Sequence, residues 1–300
     1  MVSTLDVGLQ GRQEVVAAGL IEGPEGIAVV DPGPTSSLAG LERELGRLGH
    51  GLDEVGEVLI THIHLDHAGA AGTIARRNPR VRVYVHERGA PHVVDPSKLV
   101  ASATRLYGDA MERLWGEICP VAPDRVQPLH GGETIRAAGL PLEVAYTPGH
   151  AVHHVSYFER ESGTAFAGDT AGIRIAPWPV VVPPTPPPDI DVELWRESIR
   201  RLRAWRASRV FLTHFGAFGD VDAHFDDLER RLREMAERVR RSLDEPADSD
   251  EERTQRFAAA MRQSLREALR DEGAFARYDQ SIPFGHNWAG LARYWRKKTT

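Results

Sequence analysis

Between residues 62 and 67 the chain reads His62-Ile63-His64-Leu65-Asp66-His67, three imidazoles and a carboxylate in one short run. Such donors suit zinc and neighbouring divalent ions, whose bonds of about 2.0–2.2 Å demand close crowding. On an extended stretch His62 and His64 point to the same side, as alternate residues do. Asp66 and His67 follow where the chain turns and can face a second ion. A lone histidine here would read as a core or surface residue; four donors this close do not.

Three more donors stand just after apolar runs. They are His150 in Thr147-Pro148-Gly149-His150, Asp169 in Gly168-Asp169-Thr170, and His214 in Leu212-Thr213-His214. The elements that deliver them alternate between strand and helix. Residues 15–22, 26–30, 55–60 and 81–85 read as strands, the second ending in the turn Asp31-Pro32-Gly33. Leu38, Leu41, Leu45 and Leu48 have helical spacing, 68–77 forms a glycine- and alanine-rich helix, and 99–117 holds one or two more. A second half follows, with a strand over 142–146, a hairpin over 155–158 and 164–167, and a stiff proline-dense segment over 177–188. A helix over 193–205 then leads to a strand over 209–212.

Beyond about residue 220 the strand signals stop. Phe225, Leu228, Leu232, Met235 and Val239 lie on one helical face. After an acidic linker, Phe257, Met261, Leu265 and Leu269 mark a second helix, started by Ser249 and Glu252 at capping-box spacing. Trp288, Leu291, Ala292 and Trp295 form a last stripe that must be buried against something. The expected organisation is an α/β catalytic domain over 1–220 and an α-helical domain over 221–300. All seven donors precede residue 220, so metal binding is expected to survive removal of the helical part.

The pattern His-x-His-x-Asp-His, followed in order by His150, Asp169 and His214, resembles the metallo-β-lactamase superfamily over about residues 10–220. The resemblance implies an αββα sandwich with a C-terminal helical domain. It implies two divalent metal ions, zinc first, with iron or manganese as alternatives. Carried over, His62, His64 and His150 hold one ion, Asp66, His67 and His214 hold the other, and Asp169 bridges them. Two such ions bring a water toward ionisation at neutral pH and polarise the attacked oxygen, and their net positive site favours an anionic transition state. Asp66 is the expected catalytic residue, orienting the water as well as holding metal.

The bridging aspartate sets the chain apart from true β-lactamases, and the pattern is closest to hydroxyacylglutathione hydrolases and related thioesterases. A dinuclear-metal hydrolase of an ester-like bond, thioester first, is therefore expected. Lactonase and phosphoesterase are alternatives; Gly172 stands where lactonases of this family place a tyrosine. A different class, an iron-dependent persulfide dioxygenase, would use His62, His150 and Asp169 alone. The segment 281–286 reads as a loop able to carry Phe284 and His286 over the cleft as substrate-binding residues.

Among the other histidines, His153 or His154 could brace a ligand, and His86 and His92 could line the cleft. His50, His130 and His224 are expected in solvent. Asp31 either shapes its turn or sits beside the ligands. Cys119 is the single cysteine and lies outside every metal motif, so no disulfide and no thiol nucleophile are expected. The 300 residues are 41% hydrophobic and 27% charged, with formal net charge −6. This weighs against a general nucleic-acid binder, which needs a basic stripe, and leaves room for a local basic groove. No apolar run reaches membrane-spanning length. A small-molecule substrate and a cytoplasmic setting are expected; oligomeric state is left open.

Overall fold

The computed structural model describes residues 1–246, 249–282 and 284–298. The first sheet holds β1 (Val2–Asp6), β2 (Ala17–Gly23), β3 (Gly26–Val30), β4 (Val55–Leu59), β5 (Arg82–His86) and β6 (Val126–Leu129), in sequential order. Its first three strands are antiparallel and its last four parallel. The second holds β7 (Thr134–Ala137), β8 (Leu140–Tyr146), β9 (Val155–Glu159), β10 (Thr164–Phe166), β11 (Arg209–Leu212) and β12 (Gly216–Phe218). Only β10 and β11 run parallel in it.

The two-residue period of a strand sorts side chains between layers. In β3, Ala28 and Val30 face the second sheet while Ile27 and Val29 join a separate core with the first helices. In β11, Phe211 meets Phe166 between the sheets while Val210 and Leu212 face outward. The outer face of the first sheet is covered by α1 (Leu38–Arg47), α2 (Leu65–Ala68), α3 (Ala71–Arg77) and α4 (Ala90–Val94). Next come α5 (Ser97–Tyr107) and α6 (Met111–Trp115), and α7 (Val192–Ala204) covers the second sheet. The fold is thus an αββα sandwich, followed by α8 (Val221–Asp244), α9 (Asp250–Leu269), α10 (Glu272–Asp279) and α11 (Phe284–Lys298).

The C-terminal helices complete a core begun earlier. Trp195 and Ile199 of α7, Phe225 and Leu228 of α8, and Trp288 and Leu291 of α11 are buried in one cluster. Removing residues 221–300 would strip that cover, at about 3–5 kcal/mol for each large aromatic side chain taken out of the cluster. Metal binding without them is therefore expected only where the shortened chain stays folded and soluble. Helix α11 starts at Phe284, so the expected loop over 281–286 is shorter than the sequence suggested; Pro283 lies outside the described residues. Strands β1, β7 and β12 and helix α10 were not anticipated, because each is short and carries few apolar residues. Among the described residues no helix is long and apolar enough to cross a membrane.

Candidate metal centre

Strand and loop ends from both sheets converge on one point. β4 delivers Thr61 and His62, and the chain then turns so that the His67 amide donates to the His64 carbonyl at 3.0 Å. The turn at Asp31 clamps this segment: Gly33, at φ 80°, donates its amide to the His67 carbonyl and accepts from the Ala70 amide. Gly149 must be glycine, because a Cβ there would lie 2.3 Å from the Trp195 Cα. That close approach seats the His150 loop on α7.

The seven donors form two groups. His62, His64, His150 and Asp169 bring one donor atom each to within 4.8 Å of one another, and so do Asp66, His67 and His214. Asp169 faces both: Oδ2 lies 3.4 Å from His150 Nε2, and Oδ1 lies 3.2 Å from His67 Nε2 and 3.4 Å from His214 Nε2. His67 Nε2 and Asp169 Oδ1 are buried without a hydrogen-bond partner in the described structure. A buried carboxylate oxygen and a buried ring nitrogen left unmatched are costly, and a cation between them satisfies both. The donor set and its orphaned atoms fit a pair of divalent ions.

Outer partners fix which nitrogen each ring presents. His150 Nδ1–H donates to the Pro184 carbonyl at 2.9 Å, and His214 Nδ1–H to the Val15 carbonyl at 2.6 Å. Both rings then aim Nε2 inward. His67 Nδ1–H donates to Asp31 Oδ2 at 2.8 Å. That same oxygen accepts the hydroxyls of Thr61 and Thr213, each at 2.7 Å, while Oδ1 accepts the Thr61 amide at 2.8 Å. Asp31 is wholly buried, and it both shapes its turn, at φ 48°, and sits beside the ligands. Thr61 and Thr213 were missed from sequence. Their signal is the repeated Thr-His pair at 61–62 and 213–214.

Electrostatics separate the two groups. Burial and the neighbouring imidazoles of His67, His64 and His150 push His62 well below the ordinary histidine range. Burial also lowers His64, and takes His150 down to about 4, in spite of Asp169. Burial opposes the proton on His67 as well, but Asp169, Asp31 and Asp66 together raise it well above that range. His214 is likewise raised by Asp169 and Asp66 against the effect of burial. Against its own burial, Asp66 is drawn down to about 2 by His67 and His214.

The donors open on a cavity of about 390 Å³, where His64, Asp66, Asp169 and His214 contribute to the lining. Another wall is the amphipathic face of α5, with Leu99, Ala103, Leu106 and Tyr107. No α5 residue is buried, so this apolar face is open to whatever fills the cleft. Arg88 and Lys98 are exposed cations on the same lining. His92, His153 and His286 also reach it.

The two expected substrate residues part company. His286 lines the cavity, its ring 6.0 Å from that of Tyr107. Phe284 does not reach it: at 1% exposure it packs with Ile175, Val182 and Leu265, because the first turn of α11 directs it into the helical core. His153 accepts a long bond from the Ile63 amide and His154 bonds Thr147, while the His154 ring stacks on His62 at 5.1 Å and the His153 ring meets His64 edge-on at 5.9 Å, so both pack against ligand rings. His86 stacks on Tyr146 outside the cleft. His224, expected in solvent, is 1% exposed and donates Nε2–H to the Ala171 carbonyl at 2.8 Å, propping the turn that carries Asp169. Cys119 is buried away from the centre, accepting a hydrogen bond from Thr73.

Known proteins resemble this chain in sequence and in fold. The chain is 28% identical over 206 residues to a metallo-beta-lactamase fold-containing protein, ST1585, of Sulfurisphaera tokodaii, covering 68% of this chain and 74% of that one. It is 28% identical to a hydroxyacylglutathione hydrolase of a Synechococcus strain, over 70% of this chain and 69% of the relative. The solved structure of a metallo-beta-lactamase family protein, TTHA1429, from Thermus thermophilus superposes with TM-score 0.71 at 23% identity. It covers 99% of this chain and 94% of that one, so the likeness in fold extends through the C-terminal helices. The metallo-beta-lactamase superfamily profile matches residues 11–214, which span every donor described above. The chain belongs to that superfamily of metal-dependent hydrolases.

Proposed function

We propose that this protein is a dinuclear-metal hydrolase of ester-like bonds, with thioesters as its first substrate class. The observation that carries the reading is Asp169, whose two oxygens each face a different histidine group. His62, His64 and His150 would hold one ion, Asp66, His67 and His214 the other, and Asp169 both. Two divalent ions, when bound, lower the pKa of water toward neutrality and polarise the oxygen of the attacked bond. Zinc matches the imidazole and carboxylate donors; iron and manganese are the alternatives. Asp66 is the more open carboxylate, its side chain 26% accessible against 6% for Asp169. Its proposed role is to hold metal and orient the attacking water.

The substrate class draws support from two sides. Several relatives are named hydroxyacylglutathione hydrolases. The cleft combines an apolar wall on α5 with the cations Arg88 and Lys98, which suits an acyl group on an anionic carrier. His286 is proposed to contact that substrate. Metal analysis of untreated protein, with turnover on thioesters, lactones and phosphoesters, tests the reading. Two zinc-class ions and thioester turnover are expected. One iron per chain with oxygen consumption on a persulfide would instead make it a dioxygenase, and no turnover on any ester would sink the hydrolase assignment.

A further inference from the structure

A second cavity, also of about 390 Å³, lies between α8 and α9, away from the metal centre. Its volume falls in the roughly 300–1,000 Å³ range of small-molecule sites. The floor is apolar and buried, made by Val182, Met235, Leu265 and Phe284. Phe284, expected over the metal cleft, is part of this floor instead. Along one side, Arg231, Arg238 and Arg241 recur at three- to seven-residue steps of α8 and so share a face with Met235.

The arginines differ in what they hold. Arg230, Arg231 and Arg240 each pair with a carboxylate of the same helix. Arg233, Arg238 and Arg241 make no hydrogen bond or ion pair among the described residues, though all three stand at the cavity, Arg238 and Arg241 one turn from Met235 on α8 and from each other. Glu234 and Glu237, the acidic side chains on the lining, are already engaged by Arg230 and Arg240. An arginine-rich chain places many guanidinium groups on helix surfaces by chance. Three without a partner among the described residues, on the lining of a cavity with a buried apolar floor, is the less ordinary combination.

We infer that this cavity binds an amphipathic anion, with its apolar body on Met235, Leu265 and Phe284 and its head at Arg238 and Arg241. The head is a carboxylate or a phosphate monoester, either of which guanidinium groups bind in paired fashion. The wall it touches is shared: Val182 and Pro183 line this cavity, while Pro184 lines the metal cleft and holds His150. The site is independent of which bond the metal centre cleaves.

Isothermal titration of the metal-loaded full chain with decanoate, decyl phosphate and neutral decanol tests the inference. One anionic ligand per chain is expected, and the tighter of the two anions identifies the head group. The double variant R238E/R241E should weaken binding at least about tenfold, the worth of one charge-assisted hydrogen bond. M261W, which puts bulk into the cavity from its rim, should do the same, with thermal unfolding and basal hydrolysis unchanged in both variants. No saturable binding would overturn the inference. So would decanol binding as tightly as the anions, or anion binding that both variants leave within about twofold of wild type.

Discussion

The two halves of the metal centre are built from similar donors, but their surroundings push the histidines in opposite directions. His62, His64 and His150 are pushed toward neutrality by burial and by one another. His67 and His214 are raised, against their burial, by Asp169, Asp66 and, for His67, Asp31. If each group takes an ion, the first should displace fewer protons than the second. On the proposed two-ion reading, occupancy of the first group should depend little on pH and occupancy of the second should follow it.

The sharpest way to break the contrast is to remove the residue common to both groups. Asp169→Ala should lose metal from both and lower kcat by more than about a hundredfold, the upper cost of losing a mere outer partner. Metal content and turnover measured on the same sample check this, and full metal content would show that the groups do not depend on a shared carboxylate.

Asp31→Asn comes next. It keeps the shape but removes the charge that orients and protonates His67, so metal affinity should fall by about 10–100-fold. The deficit should concentrate on the second equivalent in a metal titration. Equal loss of both equivalents would mean that Asp31 acts through Thr61 and His62 as much as through His67.

Acidity sharpens the comparison further. Binding of the second equivalent should release protons and strengthen from pH 6 to 8, while binding of the first stays nearly flat. Calorimetry in buffers of different ionisation enthalpy reads the proton count directly. In metal-free protein the signs follow from linkage. Protonated His67 and His214 lend stability that is complete below their ordinary value of 6.5 and is lost as pH rises through their raised values. Ionised Asp66 lends stability that is present above 3.8 and is lost as pH falls toward about 2. Metal-stripped protein that grows more stable between pH 6.5 and 9 would contradict this assignment.

The smallest expected effect is on the strap that backs His150. Asn287 accepts the Thr185 amide at its side-chain oxygen and the Thr185 hydroxyl at its carbonyl, next to Pro184. Asn287→Ala removes the first of these bonds, worth about 0.5–1.5 kcal/mol. The first equivalent should weaken by about tenfold at most, with the second unchanged.

What the sequence disclosed follows from how local each signal is. The run from His62 to His67 carries its geometry within one turn of chain, and the apolar periods of β3, α7 and α8 needed no partner to be read. Asp31 was ambiguous because its role depends on Thr61, His67 and Thr213, groups up to 182 residues away. His224 sits beside Phe225 on an amphipathic helix, where a histidine fits either face; only the turn at Ala171 decides it. Phe284 misled because glycine and proline around it suggest a loop, and the buried face of α11 is set by packing against α9 and the strap rather than by its neighbours in sequence.

Asp31 also sets a timetable. During synthesis the chain emerges with Asp31, Thr61 and His67 long before Thr213, and His62, His64 and Asp66 are already present. Until β11 arrives, the buried Asp31 oxygen lacks one of its three side-chain donors, and sealing it away from water in that state is costly. The early segment therefore stays open to solvent, able to meet ions but with no bridging aspartate to hold a pair of them. Asp31 thus has its full set of donors, and His67 its finished backing, only after β11 has docked.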